Sequence, residues 1–200
     1  MSKAYREAGV DIEEGERAVE AMKHSVSATF NPAVLSKMGD FAGLFDLGAV
    51  SKGMVRPVLV ASTDGVGTKV DVASKMERWD TVGQCLVHHC INDILVQGAE
   101  PIFFLDFIGC NKLESGKVAQ IVLGMSKACG VHGVALLGGE TAEMGGTYSP
   151  GSFEVAGTIV GLVDYPNILN GSNIQPGDEV WAFPSTGLHT NGYTLARKIV

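Results

Sequence analysis

The sequence predicts an α/β protein, and three observations carry that reading. Short β-branched apolar runs, such as Val58-Leu59-Val60-Ala61 and Val134-Ala135-Leu136-Leu137, alternate along the chain with stretches of helical periodicity. Several of the apolar runs lead into glycine-and-acid segments instead of plain turns. With 46% hydrophobic and 18% charged residues among 200, the composition is that of a globular protein large enough for one full core.

Asp11 followed by Glu14 predicts a capping box for a helix running to about His24, with Ala18, Val19 and Met22 on its apolar face. Lys23 falls near that helix end, where a cation suits the helix dipole or reaches an anionic ligand. Residues 25–56 mix short apolar pieces with glycines and predict a short helix opened by Asn31-Pro32, then a strand or loop.

Residues 58–61 read as a buried strand, broken at once by Ser62-Thr63-Asp64-Gly65-Val66-Gly67-Thr68-Lys69. Gly65 and Gly67 let backbone N–H groups approach a ligand, Asp64 offers oxygen to a hard cation, and Thr68 and Lys69 suit phosphate oxygens. A strand ending in a glycine turn with solvated Asp and Lys accounts for these eight residues about as well. Asp80 or Thr81 caps the next helix, which reaches about Gln97 and stops at Gly98. Val82, Leu86, His89 and Asp93 share one stripe of it, with Asn92 beside Asp93. Cys85, His89 and Asp93 are spaced for zinc, but no second segment offers paired ligands, and the reading is disfavoured.

Residues 102–107 predict a core strand carrying Asp106. A helix over about residues 114–129 follows, with Val118, Ile121, Val122, Met125 and Cys129 on one side and Gly130 as its stop. The strand at 134–137 delivers a second glycine-and-acid turn, Gly138-Gly139-Glu140-Thr141-Ala142-Glu143-Met144. Residues 153–164 read as the longest strand. Residues 165–175 are polar and turn-rich, a domain boundary, followed by a strand over 179–183 and a third glycine-rich loop with His189 and Asn191. A helix begins at Tyr193; its apolar side lacks a stop signal, so a second domain is expected to continue beyond residue 200.

The formal net charge of −7 argues against a nucleic-acid scaffold, which relies on clustered Lys and Arg. No stretch is apolar for long enough to cross a bilayer, residues 1–7 lack a signal-peptide core, and the four cysteines lack CxxC spacing, so a cytoplasmic protein with reduced thiols is expected. Walker A, GxGxxG and GxSxG patterns are missing. Carboxylates with side-chain amides coordinate magnesium, and glycine-rich turns hold phosphate, so a magnesium-nucleotide site is the economical reading.

The string Thr63-Asp64-Gly65-Val66-Gly67-Thr68-Lys69, the pair Asn92-Asp93 continuing through Gln97-Gly98-Ala99-Glu100-Pro101 and Phe103-Phe104-Leu105-Asp106, and residues 138–144 together resemble the phosphoribosylformylglycinamidine cyclo-ligases, or aminoimidazole ribonucleotide synthetases. Residues 5–12 and 187–193 resemble the flanking parts of that family in the same order. Gly145-Gly146 and the pair His88-His89 depart from its usual pattern.

The resemblance implies an ATP- and Mg2+-dependent enzyme of purine biosynthesis that closes formylglycinamidine ribonucleotide to aminoimidazole ribonucleotide. It implies a homodimer in which a mixed sheet from each subunit contributes to a barrel with helices outside, a nucleotide-binding and dimerising domain over residues 1–170, and the start of a second α/β domain over 171–200. Asp64, Asp93 and Glu140 are then expected to face magnesium. Lys23, Gly65, Val66, Gly67, Thr68, Lys69, Asn92, Gly138, Gly139, Thr141 and Asn191 are expected around the nucleotide. His189 handles substrate phosphate or a proton, or holds a structural hydrogen bond; Asp106, Glu143 and His132 are read as structural. A related thiamine-monophosphate kinase or formylglycinamidine synthase, or a non-catalytic dimerising fragment, stands as the alternative.

Overall fold

A computed structural model describes residues 11–200; the expectations that rest on residues 1–10, the family-like stretch at 5–10 and the missing leader, lie outside the described residues. The chain forms a mixed α/β layer structure. In order, it contains α1 (Ile12–Ser27), α2 (Leu47–Val50), β1 (Pro57–Gly65), α3 (Lys69–Met76), α4 (Asp80–Leu95), β2 (Glu100–Cys110), α5 (Ser115–His132), β3 (Ala135–Glu143), β4 (Phe153–Asp164) and α6 (Tyr193–Ile199), with a 3-10 turn at Tyr165–Asn167. The sheet order is β1-β4-β2-β3, with β4 antiparallel to both β1 and β2, and β2 parallel to β3. The parallel pair needs a crossover, and α5 supplies it.

Period-two alternation explains which face is covered. Phe104 and Ile108 of β2 point with Val155 and Ile159 of β4 into a core closed by Leu86 and Ile94 of α4 and Ile121 and Met125 of α5. The alternate positions, including Leu59, Thr63 and Leu105, lie on the other face; Leu59 is 56% and Leu105 37% exposed. There the Thr63 and Thr158 hydroxyls share a 2.7 Å hydrogen bond, while Phe45 packs on Phe103 at 5.3 Å between ring centroids.

The two central helices approach closely because glycine lines their crossing. A Cβ on Gly83 would stand 2.1 Å from the Ile121 carbonyl oxygen, and one on Gly124 only 1.9 Å from that of Asp80. Helix α1 joins this layer against α5. Its N-cap is Asp11, which accepts the Glu14 N–H at 3.2 Å as expected. The reciprocal half of the capping box is replaced, however. Glu143 accepts the Asp11 N–H at 2.6 Å and the Leu113 N–H at 2.8 Å, and Glu14 accepts the Ser115 N–H at 2.6 Å. Glu143 thus ties β3 to the starts of two other segments.

Several boundaries differ from the sequence expectation. Helix α5 runs through Gly130 and ends at Gly133, whose φ of +67° supplies the left-handed cap. No helix opens at Asn31-Pro32; the Asn31 side chain instead accepts the Ala33 N–H at 3.0 Å, a local turn that competes with helix. Residues 179–183 form no strand, since a strand requires a neighbouring ladder and none is paired with them; Val180, Trp181 and Phe183 stand exposed. Among the described residues, no helix is long and apolar enough to cross a membrane.

Candidate active site

Strand β1 delivers Ser62 and Asp64 toward α4, and the stripe expected on α4 delivers His89 and Asp93 to meet them. One ligand atom from each of Asp64, His89 and Asp93 lies within 4.8 Å of the others. The Asp64 carboxylate accepts the Gly65 N–H at 2.7 Å through Oδ1, and its Oδ2 contacts His89 Nε2. These hydrogen bonds, His89 first, hold Asp64 below the usual carboxylate range. Asp93 Oδ2 accepts the Ser62 hydroxyl at 2.8 Å. The second segment that the helix spacing lacked is therefore β1. Cys85 stays out of the cluster.

Residues 65–68 turn β1 into α3, an eight-residue helix that the sequence reading missed because so short a run shows little periodicity. Gly67 takes a φ of +66°, which glycine adopts without strain. Val66 is buried, anchoring the turn through its N–H to the Val155 carbonyl at 2.8 Å. Thr68 lies at the N-cap position but makes no side-chain cap; its hydroxyl instead bonds Thr194 of α6 at 2.9 Å.

Lys69 is the most telling member. It is only 7% exposed, yet its ammonium forms no ion pair with any described residue. Its contacts are the Cys85 sulfur at 3.1 Å and the Tyr193 ring at 5.0 Å. A buried cation normally recruits an anion, because leaving water costs several kcal/mol, on the order of what one good counter-charge returns. Lys69 borders a cleft of about 520 Å³ whose wall includes His89, Asn92, His189, Thr190 and Tyr193. An anionic group entering that cleft meets the ammonium, and His89 is common to the cleft wall and to the cluster with Asp64 and Asp93.

The remaining expected residues lie elsewhere. Gly138, Gly139, Glu140 and Thr141 are not a turn; they run inside β3. Glycine is used at 139 because a Cβ there would stand 2.2 Å from an Asp106 carboxylate oxygen. Asp64 pairs in register with Gly157, Gly157 with Asp106, and Asp106 with Gly139, so Asp64 and the Glu140 region occupy opposite edges of the sheet, about 14 Å apart at ~4.8 Å per strand. Register also places Glu140 beside Phe107, on the open face, whereas Asp64 faces α4. One chain therefore brings Asp64 and Asp93 together with His89, and Lys69 and Asn92 to the cleft that His89 also lines, while Glu140 lies apart. Lys23 is exposed on α1 and pairs with Glu20 at 3.5 Å. Asn191 is exposed outside the cleft wall, while His189 accepts or donates at 2.7 Å with the Thr186 hydroxyl.

Asp106 and Glu140 border a second cavity of about 700 Å³, between β2, β3, α1 and residues 37–43. Burial among Phe104, Ile108 and the α5 side chains pushes the Asp106 carboxyl up to about 7. An unfolded Asp titrates near ~3.9. Between about pH 4 and 7 the unfolded chain loses this proton while the fold keeps it, so the group's contribution is complete below about pH 4 and is lost as pH rises through 7. The neutral isostere Asp106→Asn is expected to flatten the fall in melting temperature over that window. Parallel melting profiles for the two proteins would contradict the assignment.

Residues 46–163 match the family described as AIR synthase related protein, N-terminal domain. The chain is 52% identical over 199 residues to the phosphoribosylformylglycinamidine cyclo-ligase of Desulfitobacterium hafniense, covering 100% of this chain and 58% of that protein. It is 50% identical over 200 residues to the protein of the same name from Geobacillus kaustophilus, covering 100% and 57%. The chain thus spans less than two thirds of the length of these relatives. Among solved structures, the thiamine-monophosphate kinase of Stenotrophomonas maltophilia K279a aligns over 74% of this chain and 43% of its own, with a TM-score of 0.58 and 19% identity. Hydrogenase maturation protein HypE in complex with ATP aligns over 82% and 44%, with a TM-score of 0.56 and 20% identity. At such identities these two share the fold.

Proposed function

The chain belongs to the family of AIR synthase related proteins, and on that premise we propose that it carries the ATP- and magnesium-binding part of a phosphoribosylformylglycinamidine cyclo-ligase. The observation that carries this is the buried Lys69, without a counter-ion among the described residues, on a cleft whose wall includes His89, a member of the cluster with Asp64 and Asp93. The donor set fits the group: two carboxylates from separate elements suit a hard divalent ion, and a desolvated ammonium suits a phosphate.

Magnesium-ATP, when bound, would supply the phosphoryl group that converts the formyl oxygen of formylglycinamidine ribonucleotide into a phosphate leaving group. Lys69 would neutralise phosphate charge, and Asp64 and Asp93 would hold the ion, with Asn92 beside them. The N–H groups of the 65–68 turn would complete the cradle. His189, oriented by Thr186, would sit on the substrate side of the cleft, with Asn191 in the same loop outside its wall. The substrate's own nitrogen would then close a five-membered ring, an intramolecular step for which alignment supplies most of the advantage.

The open sheet face supports a homodimer. It exposes Leu59 and Leu105, and both β1 and β3 are edge strands among the described residues. Packing two such faces together would build the barrel, and only a second copy could bring Glu140 near an ion held by Asp64 and Asp93. Residues 1–170 are assigned to this domain and residues 171–200 to the beginning of a second, because 171–192 carry no helix or strand and Ile174, Val180, Trp181, Phe183 and Leu188 stand exposed. A cytoplasmic location is proposed with the metabolic role.

The test supplies magnesium-ATP with formylglycinamidine ribonucleotide, thiamine monophosphate or selenide, and records which compound triggers ADP release. Release with the formylglycinamidine compound alone is the expected result. Release with thiamine monophosphate alone would overturn the assignment in favour of a kinase on the same fold.

A further inference from the structure

We propose that Cys85 is a site of reversible thiol–disulfide modification, taking a small disulfide that carries carboxylates, with the adduct occupying an anion's place beside Lys69. The regulatory consequence rests on the reading above, in which this cleft holds the nucleotide; the modification itself stands on other observations. Of the four cysteines, only Cys85 is partly exposed, and it lines the cleft of about 520 Å³. Cys90, Cys110 and Cys129 are 0% exposed, and burial above all pushes their thiols up to about 12, 11 and 12. Buried structural thiols of that kind are inert. Helix α4 explains the split between its two cysteines. Cys90 follows Cys85 by five positions, about 140° round the helix. It turns to the sheet, its sulfur 3.8 Å from the Gly157 carbonyl oxygen of β4, while Cys85 faces α3.

A buried cation is aimed at the sulfur. Lys69 is 7% exposed and has no ion pair among the described residues, and its ammonium donates to Cys85 Sγ at 3.1 Å. The thiolate is the nucleophile in disulfide exchange, and an ammonium in contact is placed to hold its charge. Arg78 adds a second cation to the cleft wall, and no carboxylate among the described residues lines it. A wall of one sign concentrates small ions of the other. An acidic disulfide is therefore drawn to the sulfur, and a neutral one is not.

In the exchange, the Cys85 sulfur attacks one sulfur of the incoming disulfide. The new S–S bond forms as the old one breaks, and the electron pair leaves on the departing thiolate, which takes up a proton matching the one Cys85 gave to water. Cys85 is oxidised and half of the disulfide is reduced, so no further oxidant is needed. The adduct keeps its carboxylate beside the ammonium and fills the space that a phosphate would need. A free thiol reverses the exchange by the same path.

The experiment mixes the reduced protein with dithiobis(nitrobenzoate), an acidic aromatic disulfide, follows the coloured thiolate released, and locates the modified residue by peptide mass. Neutral dithiodipyridine is the comparison, each rate being divided by that of the same probe with a free model thiol. We expect one rapidly modified thiol per chain, at Cys85, at least about tenfold faster than the other three. The acidic probe should be favoured, and added salt should erase its advantage. Lys69→Met, shown to be folded by its melting curve, should slow the acidic probe about tenfold and the neutral one less. Residue, rate and salt dependence are all read in the wild type, so the result does not hang on that variant folding. Rapid modification at another cysteine, equal rates for all four, or no preference for the acidic probe would each overturn the proposal. Magnesium with a non-hydrolysable ATP analogue should protect Cys85 at least about tenfold, and dithiothreitol should restore nucleotide binding after modification. Selective, salt-sensitive modification of Cys85 without such protection would uphold this site and remove the nucleotide from the cleft; nucleotide binding by a protein whose Cys85 is unreactive would do the reverse.

Discussion

Replacing both Asp64 and Asp93 by Ala is expected to lower affinity for magnesium-ATP by at least about 100-fold, with little change in melting temperature. Each carboxylate contributes charge-assisted contacts to the ion, commonly about 1.5–3 kcal/mol apiece, and together roughly 3 kcal/mol or more is at stake. The fold should tolerate the change. Asp64 is exposed and gives up its contacts to His89 and the Gly65 N–H, and Asp93 gives up the Ser62 hydroxyl, with no apolar core side chain removed. Calorimetric titration in the presence of magnesium checks this. Binding without magnesium should be weak in both proteins, so a difference between them that survives chelation of the metal would place the defect elsewhere.

Gly124→Ala is expected to destabilise the protein by about 3 kcal/mol, lowering its melting temperature by roughly 6–12 °C, the largest effect of any single methyl group in the helix layer. The new Cβ would lie 1.9 Å from the Asp80 carbonyl oxygen. That atom belongs to the first turn of α4 and cannot rotate away, so α4 and α5 must separate, loosening the contact that also sets Asp93 against β1. Gly130→Ala serves as the comparison on the same helix. Nothing lies within 4 Å of its Cβ position, so it should stabilise by roughly 0.5–1 kcal/mol through helix propensity. Equal melting temperatures for the two variants would show that the close helix crossing is not what glycine serves at 124.

Where local chemistry decided the structure, the sequence was informative. Asp11 capped α1 as its spacing with Glu14 indicated, β4 occupied residues 153–164, and the stripe of α4 predicted that His89 and Asp93 share a side. Where tertiary contacts decided it, the local reading misled. Gly138 to Glu140 look like a turn, yet they continue β3, because Gly139 makes room for the Asp106 carboxyl on the neighbouring strand. Gly130 looks like a helix stop, but it sits in open space and α5 passes through it to Gly133.

The site divides in the same way. Asp64, Lys69, Asn92 and Asp93 were legible because a strand end and a helix stripe each present them by local rules. The contact of His89 with Asp64 was not, since it depends on how β1 docks against α4. Nor could the sequence alone show that Asp64 and Glu140 stand at opposite edges of one sheet, a separation fixed by the strand order β1-β4-β2-β3.

Calorimetric titration of magnesium with a non-hydrolysable ATP analogue, comparing wild type with Lys69→Met, probes the buried ammonium itself. The methionine replaces the apolar stem of the side chain and removes its charged end, so the helix α3 packing is retained. The expected result is one nucleotide bound per chain in the wild type and about 100-fold weaker binding in Lys69→Met, with equal or higher melting temperature for the variant, since a buried unpaired charge has been removed. Undiminished binding by a folded Lys69→Met protein would contradict the assignment of this cleft to the nucleotide.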